Sequence, residues 1–166
     1  MSKKLPVGIT EEEFKKLIKN TKKQQHKLAF LLGFGAGLRV SEVVKLEKRH
    51  IQVDRILIEN AKGGKDRVVP IPKGFKGFHI NLLPLGIGVR ALQQAFKNAC
   101  RRAGLLITKP TIHFHSLRHG FATRMIESGV PINQVKLSLG HSNISTTSVY
   151  LRASPKDMLK SYEDLF

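Results

Sequence analysis

The apolar residues of this chain change period twice, from helical spacing to strict alternation and back, and that pattern bounds the fold more tightly than any other feature. Phe14, Leu17 and Ile18 recur at helical spacing behind Thr10, and Glu13 three residues on completes a capping box, so a helix is expected to begin at Thr10. A second helix follows Lys22 and Lys23 and is expected to end in the run Gly33, Gly35, Gly37. A short third one is carried by Val40, Val43, Val44 and Leu46.

The period then becomes two. Ile56 and Ile58 precede Lys62-Gly63-Gly64-Lys65-Asp66, and Val68, Val69 and Ile71 follow, which reads as a β-hairpin with a basic, glycine-rich tip. Residues 73–88 read as a loop with room for one short strand. Helical spacing returns over 89–103 and closes at Gly104. Further helical segments are expected near 115–128, 131–139 and 143–150, with an amphipathic piece at 156–166 after Pro155. The expectation is a single mostly helical α+β domain, spanning 1–166, with one small antiparallel sheet.

Charge narrows the partner. Twenty-nine Lys and Arg against twelve Asp and Glu give a formal charge of +17, and no acidic residue lies between Arg67 and Met125. Any surface built from that stretch is positive, as a polyanion-binding protein requires. A heat-adapted charged surface or association with ribosomes would give the same composition. The lone Cys100 excludes an internal disulfide and a cysteine-rich zinc module. It is expected to be a small core residue. With no membrane-length apolar run and no signal-peptide pattern, the expected compartment is the cytoplasm.

Polar residues that are ordinary one at a time become specific in combination. Arg39 follows Gly35-Ala36-Gly37-Leu38, where the backbone can approach a ligand closely, and Lys62 sits on the hairpin tip. The segment His113-Phe114-His115-Ser116-Leu117-Arg118-His119 places His115, Arg118 and His119 on one helical face. Metal ligation is the rival reading of those histidines. It is disfavoured because no Cys, Asp or Glu is near in sequence and Arg118 would repel a cation. His141 follows Leu139-Gly140, and Tyr150 lies nine residues beyond it.

Taken in order, Gly37-Leu38-Arg39-Val40-Ser41-Glu42, Lys62-Gly63-Gly64-Lys65-Asp66-Arg67-Val68-Val69-Pro70, His115-Ser116-Leu117-Arg118-His119, Leu139-Gly140-His141-Ser142 and Thr146-Thr147-Ser148-Val149-Tyr150 resemble the motifs of the tyrosine recombinase family, nearest its Xer-type and phage-integrase members. The resemblance implies the catalytic-domain fold of that family and a catalytic set of Arg39, Lys62, His115, Arg118, His141 and Tyr150. It implies strand cleavage and rejoining through a 3′-phosphotyrosine, without metal, ATP or other cofactor. The implied partners are double-stranded DNA and further copies of the chain, assembled as a tetramer on it. Only 38 residues precede Arg39, so the N-terminal DNA-clamping domain usual in the family is expected to be absent.

The chemistry of these residue types is consistent with that set. Two guanidinium forks, Arg39 and Arg118, suit the non-bridging oxygens of a phosphodiester. A tyrosine hydroxyl, with a solution pKa of ~10, needs a proton acceptor or a cationic neighbourhood. His115 is the expected base, His141 a hydrogen-bond donor to the phosphate, and Lys62 the general acid for the leaving 5′-oxygen. Glu42 is expected to orient a catalytic side chain, with a plain surface carboxylate as the alternative. His119 is expected to support that set or simply to pack, and Lys65 and Arg67 to contact DNA backbone or solvent. The alternatives in function are strand passage of the type IB topoisomerase kind and a non-catalytic DNA-binding module. The apolar stripe Met158, Leu159, Tyr162, Leu165 and Phe166 is expected to dock on a neighbouring subunit, against the simpler outcome of folding back on its own domain.

Overall fold

A computed structural model describes residues 7–61 and 64–140. Thr10 caps helix α1 (Glu11–Lys19): its hydroxyl accepts the Glu13 N–H at 3.3 Å while the Glu13 carboxylate accepts the Thr10 N–H at 2.8 Å. Helix α2 (Gln24–Ala36) is the central element and is buried along most of its length. It runs through Gly33 and Gly35, which the sequence reading placed at its end. Both glycines serve close packing: a Cβ on Gly35 would lie 2.5 Å from Pro72, and one on Gly33 would press on Leu117. Only Gly37 terminates the helix, in the left-handed conformation at φ 68° that a side chain rarely adopts.

Helix α3 (Val40–Lys45) and a single 3₁₀ turn (Lys48–His50) lead into the hairpin of β1 (Arg55–Ala61) and β2 (Lys65–Pro70), paired antiparallel with Ile56 opposite Val69 and Ile58 opposite Arg67. The register shifts between Ile58 and Ala61, a bulge just before the tip. Within 73–88 the described chain forms a one-turn helix, α4 (Gly77–Ile80), and no strand. Helix α5 (Val89–Arg102) buries Leu92, Phe96, Ala99 and Cys100 on one face. The left-handed Gly104 then turns the chain into the short α6 (Leu105–Thr108), which the periodicity had not indicated.

Helix α7 (His115–Glu127) lies against α2, and α8 (Ile132–Leu139) follows it. The main core joins α1, α2, α5 and the hairpin. Phe30, Phe96 and Phe114 meet there edge to face with ring centroids 5.4–6.2 Å apart, contacts that add about 1 kcal/mol each beyond burial. A second, smaller cluster of Phe121, Met125, Val130, Val135 and Leu139 unites α7 with α8. Gly8 and Ile9 pass against α7 where Gly120 leaves room. A Cβ there would collide with the Ile9 carbonyl, and the Ile9 N–H donates to the Ser116 carbonyl at 3.2 Å. Cys100 is fully buried, and that burial pushes its thiol up to about 12, so it is an inert core residue.

Candidate active site

The left-handed turn at Gly37 determines where Arg39 goes. Because α2 stops there, Arg39 is the extended residue just before α3, and its backbone N–H is accepted by the Glu42 carboxylate at 2.8 Å. Glu42 also reaches the Arg39 side chain, with Nη1 3.1 Å from Oε1. The same carboxylate takes a two-pronged ion pair from Arg67, with Nη1 to Oε1 at 2.6 Å and Nη2 to Oε2 at 2.9 Å. Burial alone would raise the Glu42 carboxyl. The hydrogen bonds and charge of Arg67, helped by those of Arg39, outweigh burial and hold it below the usual carboxylate range.

Helix α7 supplies the second half. Its first turn is fastened by Ser116, whose hydroxyl accepts the His113 N–H at 3.2 Å and whose own N–H donates to the His113 carbonyl at 2.8 Å. His115, Arg118 and His119 then share the face expected of them. His115 and His119 meet edge to face at 4.6 Å between centroids, and the His113 ring lies nearly parallel to that of His115 with centroids 6.1 Å apart. Burial is the main cause that lowers His115 to about 4, and the nearby His119, Arg118, His113 and Arg39 act in the same direction. His115 is therefore a neutral imidazole at physiological pH, with a lone pair able to accept a proton.

Arg118 is 3% exposed. Nη1 donates to the Gly37 carbonyl at 2.7 Å and Nη2 to the Leu139 carbonyl, so two of its five N–H groups tie the α2 terminus to the α8 terminus. Burial first, then repulsion from Arg39 and Arg67, lowers it to about 9, which leaves it charged at neutral pH. Among the described residues, Arg39 and Arg67 thus pair with the carboxylate of Glu42, and Arg118 adds a third guanidinium charge within electrostatic range of it, in a poorly hydrated setting. An unbalanced buried positive cluster of this kind is stabilised by an anion.

Of the residues singled out from sequence, Arg39, Glu42, His115, Arg118 and His119 are brought together here. Lys62, His141 and Tyr150 lie outside the described residues, as do the segments 143–150 and 156–166. Lys65 is exposed beside the hairpin tip. Arg67 is placed differently from the expected contact with DNA or solvent. Its side chain is 6% exposed, and Nε donates to the Ser138 carbonyl at 3.0 Å while both terminal nitrogens hold Glu42. The signal was present in the strand alternation: Arg67 lies two residues before the buried Val69, hence on the same inward face of β2. Ser138 was not singled out, and its carbonyl's role is a property of the helix end that no side-chain pattern reports.

A cleft of about 670 Å³ opens beside Arg39 and Glu42, with Lys45, Arg49, His50, Glu59 and Pro84 on its walls. Neither His115 nor Arg118 lines it. Among the described residues, no three His, Cys, Asp or Glu side chains gather as a metal ion would require. None of the described helices is long and apolar enough to cross a membrane.

The phage integrase family profile matches residues 8–77 and 87–157. The chain is 37% identical to tyrosine recombinase XerA of Thermococcus onnurineus over 97% of its own length, and it spans 63% of that relative. In three dimensions it is similar to the integrase from mycobacterium phage Brujita, with a TM-score of 0.77 at 19% identity over 100% of this chain and 60% of that one. It is also similar to a lambda integrase, solved as a tetramer bound to a Holliday junction, with a TM-score of 0.66 at 17% identity over 87% of this chain and 49% of that one. These two likenesses show the fold, and the sequence matches show the kinship: the chain belongs to the phage integrase family and has the catalytic-domain fold of the tyrosine recombinases.

Proposed function

We propose that this chain carries out site-specific DNA recombination, cutting and rejoining strands through a covalent 3′-phosphotyrosine at Tyr150. The observation that carries the proposal is the cluster of Arg39 and Arg67 paired with one carboxylate and Arg118 within electrostatic range, with the neutral His115 beside it. A phosphodiester seated there brings the negative charge that the cluster lacks, and two planar forks, Arg39 and Arg118, match its non-bridging oxygens. Charge that builds on those oxygens during displacement is met by donors already fixed in place, Arg118 by the Gly37 and Leu139 carbonyls and Arg39 by Glu42.

In this mechanism the Tyr150 hydroxyl attacks phosphorus and its proton passes to His115. The bond to the 5′-oxygen breaks, and Lys62 donates the proton that makes the leaving group a hydroxyl. His141 donates a hydrogen bond to the phosphate. The ester is conserved in the phosphotyrosine, so attack by another 5′-hydroxyl reverses the step without ATP. The overall charge of +17 suits double-stranded DNA as the partner. The chain's likeness to a recombinase solved as a DNA-bound tetramer supports assembly of several copies on it.

The test uses a pool of nicked DNA duplexes with randomised sequence, incubated with the protein in EDTA and resolved on a denaturing gel. Wild type is expected to form a covalent protein–DNA adduct, and Tyr150→Phe to bind DNA without forming one. An adduct of equal yield from Tyr150→Phe overturns the assignment of the nucleophile. Adduct formation that needs a divalent cation overturns the metal-free mechanism.

A further inference from the structure

We propose that Arg67 is a positioning residue for cleavage, acting through Glu42 to keep the Arg39 guanidinium available to the phosphate and through Ser138 to hold the chain just before His141. This inference rests on the recombinase reading above. It is supported by contacts within the chain, where Arg67 meets Glu42, Ser138 and Gly140.

Glu42 is shared. Its Oε1 accepts from the Nη1 of both Arg67 and Arg39, and its Oε2 accepts from Arg67 Nη2 and the Arg39 backbone N–H. The bonds to Arg67, 2.6 and 2.9 Å, bracket the carboxylate, whereas the Arg39 side chain is held by a single bond of 3.1 Å. A buried carboxylate without Arg67 would have one cation left to satisfy it, and would draw Arg39 into a full ion pair in place of the phosphate. Arg67 therefore neutralises Glu42 so that Glu42 can orient Arg39 without capturing it.

The other side of the same guanidinium faces α8. Arg67 Nε donates to the Ser138 carbonyl at 3.0 Å, and the left-handed Gly140 packs on Arg67, where a Cβ would come within 2.9 Å of its Cδ. Arg118 grips the next carbonyl, Leu139. Two arginines thus fix consecutive carbonyls at the end of α8, immediately before the chain continues to His141. One inward-facing strand residue thereby links α3 and its Arg39 to the segment that delivers a second catalytic candidate. Lysine cannot reproduce this, because it has no planar fork for the carboxylate and no separate Nε–H for the carbonyl.

The experiment measures single-turnover cleavage against DNA concentration, using a nicked duplex recovered from the randomised pool as the wild-type substrate. The proteins are wild type, Arg67→Lys, Arg67→Ala, Arg39→Lys and the double variant Arg39→Lys/Arg67→Lys, each checked for folding by circular dichroism. Arg67→Lys is expected to lower the rate at saturating DNA by roughly 10- to 100-fold and to change the half-saturating concentration less than about twofold. In the Arg39→Lys background the same change is expected to cost less than about threefold, because the residue it positions is already altered. Arg67→Ala is expected to be at least as slow as Arg67→Lys. A full rate for Arg67→Lys, a loss seen mainly in half-saturation, or independent multiplication of the two single losses overturns the inference and leaves the recombinase reading in place. Failure of wild type to form any adduct overturns that reading as well.

Discussion

Arg118 Nη1 lies 2.7 Å from the carbonyl oxygen of Gly37, so the arginine in the α7 half of the site is fastened to the glycine that ends the helix before the other half. Arg39 is two residues past that glycine. The carbonyl of that left-handed turn thus ties Arg118 to the backbone that leads into Arg39. The placing of both arginines is in this way linked to how α2 terminates.

Gly37→Ala is therefore expected to damage stability and chemistry together. The position has φ 68°, and a Cβ would come within 2.6 Å of Phe121 Cδ1 and 3.2 Å of Leu139. Strain and overpacking should lower stability by about 1–3 kcal/mol, read as a shift in the urea midpoint at unchanged slope. Adduct formation should fall further than the unfolded fraction explains. A variant with wild-type midpoint and rate would show that the turn is not what places the two arginines.

The ring proton resonances of His115 should not titrate where a free imidazole does. Burial, with repulsion from four cationic or titratable neighbours, lowers it to about 4, so its NMR shift should stay flat from neutral pH to about 5 and move only below that. An inflection near the ordinary 6.5 would show that burial and the surrounding charges do not act on His115 as this packing requires.

Much of this site was legible in the sequence because its parts obey short-range rules. Helical spacing put His115, Arg118 and His119 on one face, and Glu42 three residues after Arg39 is where a carboxylate reaches back to a helix start. The hairpin followed from its alternation. What escaped depends on contacts between segments far apart in the chain. Gly33 and Gly35 looked like helix breakers, yet they are thin spots against Leu117 and Pro72. Arg67 was read as a charge for DNA because it neighbours the basic tip, although the period of two already turned it inward. Its partners, Glu42 and Ser138, are 25 and 71 residues away in the chain, beyond what local spacing encodes.

Lys62→Ala should slow cleavage of ordinary DNA and slow far less the cleavage of a duplex whose 5′-bridging oxygen is replaced by sulfur, because a thiolate leaves without a proton. The comparison isolates proton donation from any contribution of Lys62 to binding. Equal impairment on both substrates would remove Lys62 as the general acid, and the exposed Lys65 would be tested next.

Acid should weaken the fold through Glu42, and the sign follows from its depressed carboxyl. A carboxyl held below its ordinary 4.5 in the folded state contributes stability that is fully present above that value and is lost as pH falls through the folded value. His115 acts in the same direction at higher pH: its folded value of about 4 lies under the ordinary 6.5, so stability declines as pH falls from about 6.5 towards 4. His26, His79 and His119, also depressed mainly by burial, add to that upper limb. Glu42→Gln separates the two. At neutral pH it leaves Arg67 buried without its anion and should cost about 3 kcal/mol or more. In acid a protonated Glu42 is nearly as uncharged as glutamine, so the urea midpoints of wild type and Glu42→Gln should converge as pH drops below 4.5 while the upper limb stays common to both. A gap between the two proteins that is as wide in strong acid as at neutrality would show that the Arg67–Glu42 pair is not what acid breaks.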